Sequence, residues 1–181
     1  MKATGIVRRI DDLGRVVVPK EIRRTMRIGE GDPLEIYTGD DGEVIFKKYS
    51  DVVSLGAIVK DMLTSVYCAH KAPVIACDKE KVIAVKGIAE KEIINRRITE
   101  DLMGVMERRE IYAYGGGDTP CFPVEGVERY AVACAPIIAS GNVVGAILIL
   151  SEDGTPGTAA SNKEIGLVQV SAAYIGIQLD D

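Results

Sequence analysis

The chain has 181 residues, 47% of them hydrophobic and 27% charged, which leaves room for one ordinary domain or two small ones and excludes disordered and fibrous classes. With no Trp and two Phe, its core has to come from Ile, Val, Leu, Ala and Met. The net charge of −5 conceals a division: residues 1–28 hold eight basic side chains against three acids, whereas residues 29–46 hold six acids and no base. Such counter-charges steer a polyanion toward one face, so an acidic whole-chain balance does not exclude nucleic acid.

Met1 to Ile10 carries an Arg pair and no long apolar run, so no secretory signal is expected there. Ala131 to Leu150 is apolar, but Ser140-Gly141-Asn142 interrupts it and neither half reaches the ~20 residues of a membrane helix. Two strands around a tight turn fit better, in a soluble cytoplasmic protein. Cys68, Cys77, Cys121 and Cys134 form no CxxC pair, and their spacing fits neither a zinc site nor a disulfide framework. They are expected as buried, reduced thiols, with no metal and no cofactor. Cys68-Ala69-His70 lacks a third ligand nearby in sequence and is taken as an incidental pair.

In chain order, Thr4 to Ile10 is β-prone, Asp11-Asp12-Leu13-Gly14 turns the chain, and Arg15 to Val18 is extended again. Pro19 suits a first helical position, and Lys20 to Arg27 follows at helical spacing until Gly29-Glu30-Gly31-Asp32-Pro33 breaks it. Leu34 to Thr38 and Glu43 to Lys48 flank Gly39-Asp40-Asp41-Gly42, a hairpin signal. Fifty residues with so few large apolar side chains bury a marginal core, so intimate dimerisation is expected. From Asp51 the pattern turns helical: Val52, Leu55, Val59, Met62, Leu63 and Val66 form an amphipathic stripe, with Ser50 or Asp51 as cap. No Gly/Ser or Pro-rich tether precedes it, so the joint between the halves is expected to be stiff.

Further on, Val74 to Cys77 and Val82 to Lys86 make a hairpin around Asp78-Lys79-Glu80-Lys81. Helical segments follow at Glu90 to Arg96 and Glu100 to Arg109, then a loop from Tyr114 through Pro123. Strands at Tyr130 to Ala139 and Val143 to Leu150 precede a last helix, Asn162 to Leu179. A mainly antiparallel sheet with helices at both ends describes an α+β sensor domain. In the last helix Ile165, Val168, Ala172, Ile175 and Leu179 form one stripe, and Leu167, Val170, Tyr174 and Ile177 widen it. One sheet cannot cover so broad a face, so half of it is expected to be a subunit interface.

The constellation that points to function is the short basic helix. Lys20, Arg23, Arg24 and Arg27 fall at i, i+3, i+4 and i+7, on one face, with Ile22 and Met26 on the other side. Like charges at these spacings repel, so a polyanion is the fitting partner. Arg15, and one of Arg8 and Arg9, extend the patch; neighbours on a strand face opposite ways, so only one of the two can. The run from Thr4 to Pro19, Glu21-Ile22-Arg23-Arg24, Leu34-Glu35-Ile36-Tyr37 and Lys47-Lys48-Tyr49 closely resembles the N-terminal domain of the AbrB-like transition-state regulators. That resemblance implies a swapped-hairpin fold in which two chains interleave strands. It also implies DNA contact by Arg8, Arg15, Arg23 and Arg24, reading shape and flexibility more than a strict base code.

The second domain resembles a GAF domain in element order. The expected fold is therefore α+β: an N-terminal AbrB-type swapped-hairpin β-barrel, dimeric, over residues 1–50, followed by a GAF-like α+β domain over residues 51–181. The resemblance implies that this second domain serves oligomerisation and the sensing of an unidentified small molecule, with the chain a dimer or tetramer. Gly115-Gly116-Gly117-Asp118-Thr119 does not follow a strand and open a helix, as a phosphate loop does, and reads as a surface loop. The function expected is a sequence-tolerant regulator of sporulation genes, activator or repressor, bound to double-stranded DNA in the nucleoid and not an enzyme. The alternatives are an antitoxin-like or scaffolding swapped-hairpin protein, whose partners are held by a disordered acidic tail that this C-terminus lacks, and a GAF-type enzyme reducing oxidised methionine through cysteines.

Overall fold

The computed structural model describes residues 4–116, 119–155, 157 and 159–180. The chain falls into two compact units, Met1–Tyr49 and Ser50–Asp181.

The first unit holds helix α1 (Lys20–Met26) and the antiparallel pair β1 (Leu34–Thr38) and β2 (Val44–Lys48). The hairpin register runs from Leu34 opposite Lys48 to Thr38 opposite Val44. It closes through Gly39 and Gly42, the latter at φ +76°, where a side chain would be strained. Pro19 stands just outside α1 as its N-cap, at φ −58° and ψ 149°. Its carbonyl accepts the N–H of Arg23. The helix ends one residue before the sequence pattern does. Arg27 adopts the left-handed conformation, and the Ile28 N–H reaches back to the Arg23 carbonyl, a Schellman-type close made without glycine.

The expected strands at residues 4–10 and 15–18 are not formed in the single chain. The turn between them is present: Asp11 N–H donates to the Arg15 carbonyl, and Gly14 N–H to the Asp11 carbonyl. Strands need a ladder partner for their backbone groups, and no other described segment of this unit supplies one. The apolar side chains of these arms are correspondingly uncovered, Val7 at 84% and Val17 at 70%. No side chain among the described residues of this unit is buried.

The second unit is a five-stranded antiparallel sheet with helices on both faces, rather than at its ends. Its strands are β3 (Val74–Cys77), β4 (Val82–Lys86), β5 (Tyr112–Ala113), β6 (Ala131–Ala139) and β7 (Asn142–Leu150), in the order β4-β3-β7-β6-β5. Alternation along β3 assigns the layers. Val74 and Ala76 pack with α2 (Asp51–Ser54), α3 (Gly56–His70) and α6 (Asn162–Asp180) through Val52, Val59, Leu63, Val168 and Ile175. Ile75 and Cys77 face the other way, toward α4 (Glu90–Ile93) and α5 (Glu100–Glu107), through Ile93, Leu102, Val105 and Met106. Buried on both faces, β3 reads as an unbroken apolar run for that reason.

The single helix expected from Asp51 is broken at Leu55 into α2 and α3. The Ser54 hydroxyl bonds to the Asp51 carbonyl and a glycine follows Leu55, both unfavourable to helix continuation, while the apolar stripe runs on through the break. Ser50 caps α2 by backbone position only; its buried hydroxyl finds no partner among the described residues. At α6, a Cβ on Gly176 would run into the Ile138 carbonyl of β6, so glycine lets the helix lie close on the strand. Three further contacts fix the helix: Glu164 bonds to His70 at 3.0 Å, Lys163 Nζ donates to the Ala69 carbonyl, and Ser140 donates to Asp180. Val168, Ala172 and Ile175 are buried. Val170, Ala173, Tyr174 and Ile177, at i, i+3, i+4 and i+7, form an exposed apolar stripe on the opposite side.

Three of the four cysteines are buried; Cys68, on the outer side of α3, is exposed, contrary to expectation. Burial pushes the Cys77 thiol up to about 12 and the Cys121 thiol up to about 11, so both stay protonated and unreactive. No cluster of three metal-ligating side chains occurs among the described residues, nor is any helix there long and apolar enough to cross a membrane.

Candidate nucleic-acid interface

All seven basic residues singled out in the N-terminal unit are exposed. Lys20, Arg23 and Arg24 lie within α1 at helical spacing, so the helix brings these three to one face. Arg27 follows the helix as its C-cap, in the left-handed conformation, and is exposed. Arg8 and Arg9 sit on the unpaired first arm, where Arg8 Nη1 donates to its neighbour's carbonyl at Val7. Arg15 follows the turn, and its Nε lies 2.8 Å from the Asp11 carboxylate. Asp11 also accepts the backbone N–H groups of Leu13 and Arg15 at 3.1 and 2.7 Å. The Arg15 bonds, backbone first, hold its carboxyl below the usual carboxylate range. No carboxylate pairs with Arg23 or Arg24 among the described residues. Among the described residues the two arginines are therefore uncompensated charges.

The acidic side of the unit is the β1–β2 hairpin. Glu35 stands opposite Lys47, and Lys47 Nζ lies 4.3 Å from the centre of the Tyr37 ring. Lys48 Nζ donates to the Arg27 carbonyl at 2.9 Å, tying the hairpin to the end of α1. Sequence reasoning treated Asp11 as a turn former and missed its grip on the Arg15 side chain. The signal was available, in an Asp and an Arg four residues apart across a glycine turn.

In the second unit, the space between the sheet and α5 is filled by Ile93, Leu102, Met106, Cys134 and Leu148. An open groove of about 400 Å³ lies beside α4, lined by Ile88, Glu92, Arg96, Val127, Arg129 and Asp153. Arg96 and Arg129 are partly engaged there by the carbonyls of Glu125, Gly126, Ser151 and Glu152. Gly117 and Asp118 of the glycine loop lie outside the described residues.

An arginine-bearing unit with no buried side chain among its described residues is thus followed by a packed three-layer α+β unit. A family model described as "Stage V sporulation protein T C-terminal, transcription factor" matches residues 54–180, and the chain belongs to that family of transcription factors. It is 42% identical over 182 residues to stage V sporulation protein T of Bacillus subtilis (strain 168), covering 99% of each chain. Residues 7–53 match a second model, "Antidote-toxin recognition MazE, bacterial antitoxin". Over 49 residues the chain is 63% identical to the transition state regulatory protein AbrB of the same organism, covering 27% of this chain and 50% of that one. The GAF domain of a phosphoenolpyruvate-protein phosphotransferase from Coxiella burnetii superposes with a TM-score of 0.53 at 17% identity, covering 69% of this chain and 82% of that one. The fold is thus α+β, an AbrB-type N-terminal domain followed by a GAF-like domain.

Proposed function

We propose that the protein regulates transcription of sporulation genes by binding double-stranded DNA through its N-terminal unit as a swapped-hairpin dimer, in the cytoplasm and on the nucleoid. The observation that carries this is the coincidence of exposed, uncompensated Arg23 and Arg24 on α1 with unladdered, apolar arms on either side of Arg8 and Arg15. The arms ask for a second copy, and the arginines ask for a polyanion. Interleaving two copies gives residues 4–10 and 15–18 strand partners and covers Val7, Ile10 and Val17. It also presents two sets of arginines to one duplex, worth a steep salt dependence.

The GAF-like unit assembles dimers further, through the exposed Val170, Ala173, Tyr174 and Ile177 stripe of α6. Any ligand-sensing role falls to the open groove beside α4, because the space between the sheet and α5 is filled by the unit's own side chains. Footprinting of the full chain across sporulation promoters, with and without cell metabolites, tests both parts. Protected sites, shifted by a metabolite, support the whole proposal. Protection that no metabolite alters leaves an oligomerisation module in place of a sensor. The match of residues 7–53 to an antitoxin family favours a second reading, neutralisation of a toxin. Stoichiometric capture of a toxin by a chain that leaves promoter DNA unprotected would establish it instead.

A further inference from the structure

The turn at residues 11–15 is organised around one carboxylate. Asp11 Oδ1 accepts the N–H groups of Leu13 and Arg15, and Oδ2 accepts Nε of the Arg15 side chain at 2.8 Å. Behind these, the main chain closes with Asp11 N–H on the Arg15 carbonyl and Gly14 N–H on the Asp11 carbonyl, with Gly14 at φ +76°. The carboxylate is therefore fixed by the backbone, not only by the arginine. Arg15 is gripped at its innermost guanidinium nitrogen, while its side chain stays 69% exposed. Nη1 and Nη2 carry no partner among the described residues, so the outer fork of donors is free and its plane is set.

This arrangement separates two properties that an arginine usually brings to DNA together. Counterion release follows net charge, and an arginine carrying its own carboxylate at contact distance brings almost none to a phosphate. Base recognition follows donor geometry, and the guanidinium fork matches guanine O6 and N7 whatever its net charge. A fixed carboxylate beside the fork also repels phosphate oxygens, which directs Arg15 away from the backbone and toward the base edges. Arg23 and Arg24 have the opposite character, with full charge and no carboxylate. We propose that Asp11 is a positioning residue that presents Arg15 to base edges in the groove, so that Arg15 sets sequence preference while Arg23 and Arg24 set the salt dependence.

The inference rests on the DNA-binding function proposed above, and the experiment separates the two. The full chain is titrated onto a duplex selected from random sequence and onto its shuffled counterpart, across a salt series. The double variant Asp11→Asn/Arg15→Ala removes the paired charges together while keeping an amide oxygen for the turn, and is expected to lower the selected-to-shuffled affinity ratio by about tenfold or more, with the log–log salt slope nearly unchanged. Arg23→Ala is expected to weaken both duplexes alike and to flatten the slope by about 2 in a dimer. Asp11→Asn keeps an amide oxygen for the Leu13 and Arg15 N–H groups but releases the side chain. Its slope should steepen by up to about 2, because two arginine charges are uncovered, while the affinity ratio falls. If the double variant flattens the slope as Arg23→Ala does and lowers both affinities equally, Arg15 is a phosphate contact, Asp11 only forms the turn, and the inference is overturned. If Asp11→Asn leaves both slope and ratio at wild-type values, the positioning role is overturned on its own. A wild-type chain that binds neither duplex overturns the proposed function, and this inference with it.

Discussion

The two units solve the same problem, covering apolar surface, in opposite ways. In the second unit the sheet is clad on both faces, and Leu63, Ile75, Ile147, Leu148 and Ile175 are all at most 1% exposed. In the first unit no described side chain is buried, and Val7, Ile10, Leu13 and Val17 stand open. The first unit's sequence is nevertheless the better matched to its relative, 63% identical to AbrB over 49 residues. Its apolar side chains find no core among the described residues of the single chain, and the proposed second copy would cover them. On the proposed function, the first unit is stable only as an assembly and its stability depends on concentration, whereas the second unit carries its own.

The largest effect that sharpens this contrast is a core truncation. Leu148→Ala, in a fully buried position of β7, should destabilise the second unit by about 2–5 kcal/mol. Urea unfolding followed by circular dichroism reads it, and a change under about 1 kcal/mol would mean that the two-sided packing is wrong. Val17→Asp, on the open arm, should behave in the reverse manner. It should leave the unfolding of the second unit unaltered while weakening dimerisation of the first at least tenfold, measured by sedimentation of the 1–50 fragment over a dilution series. Dilution-independent behaviour of that fragment, with or without the substitution, would break the contrast between the units.

Ile177→Glu is expected to have a smaller effect, confined to assembly. Its side chain is 60% exposed, so the unfolding midpoint should move by no more than about 0.5 kcal/mol, while self-association of the 51–181 fragment falls. An unchanged sedimentation coefficient would remove the α6 stripe as an interface. The smallest effect is on pH. Burial raises the Glu164 carboxyl, but the Ser161 N–H and hydroxyl and the neighbouring His70 outweigh it, and the net direction is down. A carboxyl lowered in the folded state contributes stability above its unfolded value, near 4.3, and loses it as pH falls through the folded value. Glu164→Gln should therefore flatten the decline in stability of the second unit below about pH 4.5.

Much of the second unit was legible because its periodicities are local. Two apolar runs around Ser140-Gly141-Asn142 gave β6 and β7 to within a residue, and the turn Asp78 to Lys81 gave the β3–β4 hairpin. The break at Leu55 was not legible, since Val52, Leu55 and Val59 keep helical spacing across it and only Gly56 marks the site. Cys68 was expected inside because of its residue type, and it lies on the face of α3 that the sheet does not reach. In the first unit, β1, β2 and the turn at Gly39–Gly42 were readable. The end of α1 was not, because a left-handed close at Arg27 is made by a residue that rarely adopts it. The absent strands at 4–10 and 15–18 mark a different limit: their pattern specifies strands, and no other described segment of that unit supplies a ladder partner. Of the candidate interface, the arginines were legible from charge spacing and family resemblance. The Asp11 grip on Arg15 was not, because it depends on which way two side chains turn.

The central claim, that uncompensated arginines on a two-copy N-terminal unit hold DNA, is tested most directly by one salt series. DNA affinity of the full chain and of the Arg23→Ala/Arg24→Ala double variant is measured by fluorescence anisotropy between about 50 and 300 mM salt, with the assembled mass checked by sedimentation. The account predicts a wild-type log–log slope between about −5, if the Arg15 pair avoids phosphate, and about −7, if all eight arginines of a dimer meet it. It also predicts loss of binding in the double variant at unchanged mass. A slope near zero, or a double variant that binds as the wild type does, would contradict it.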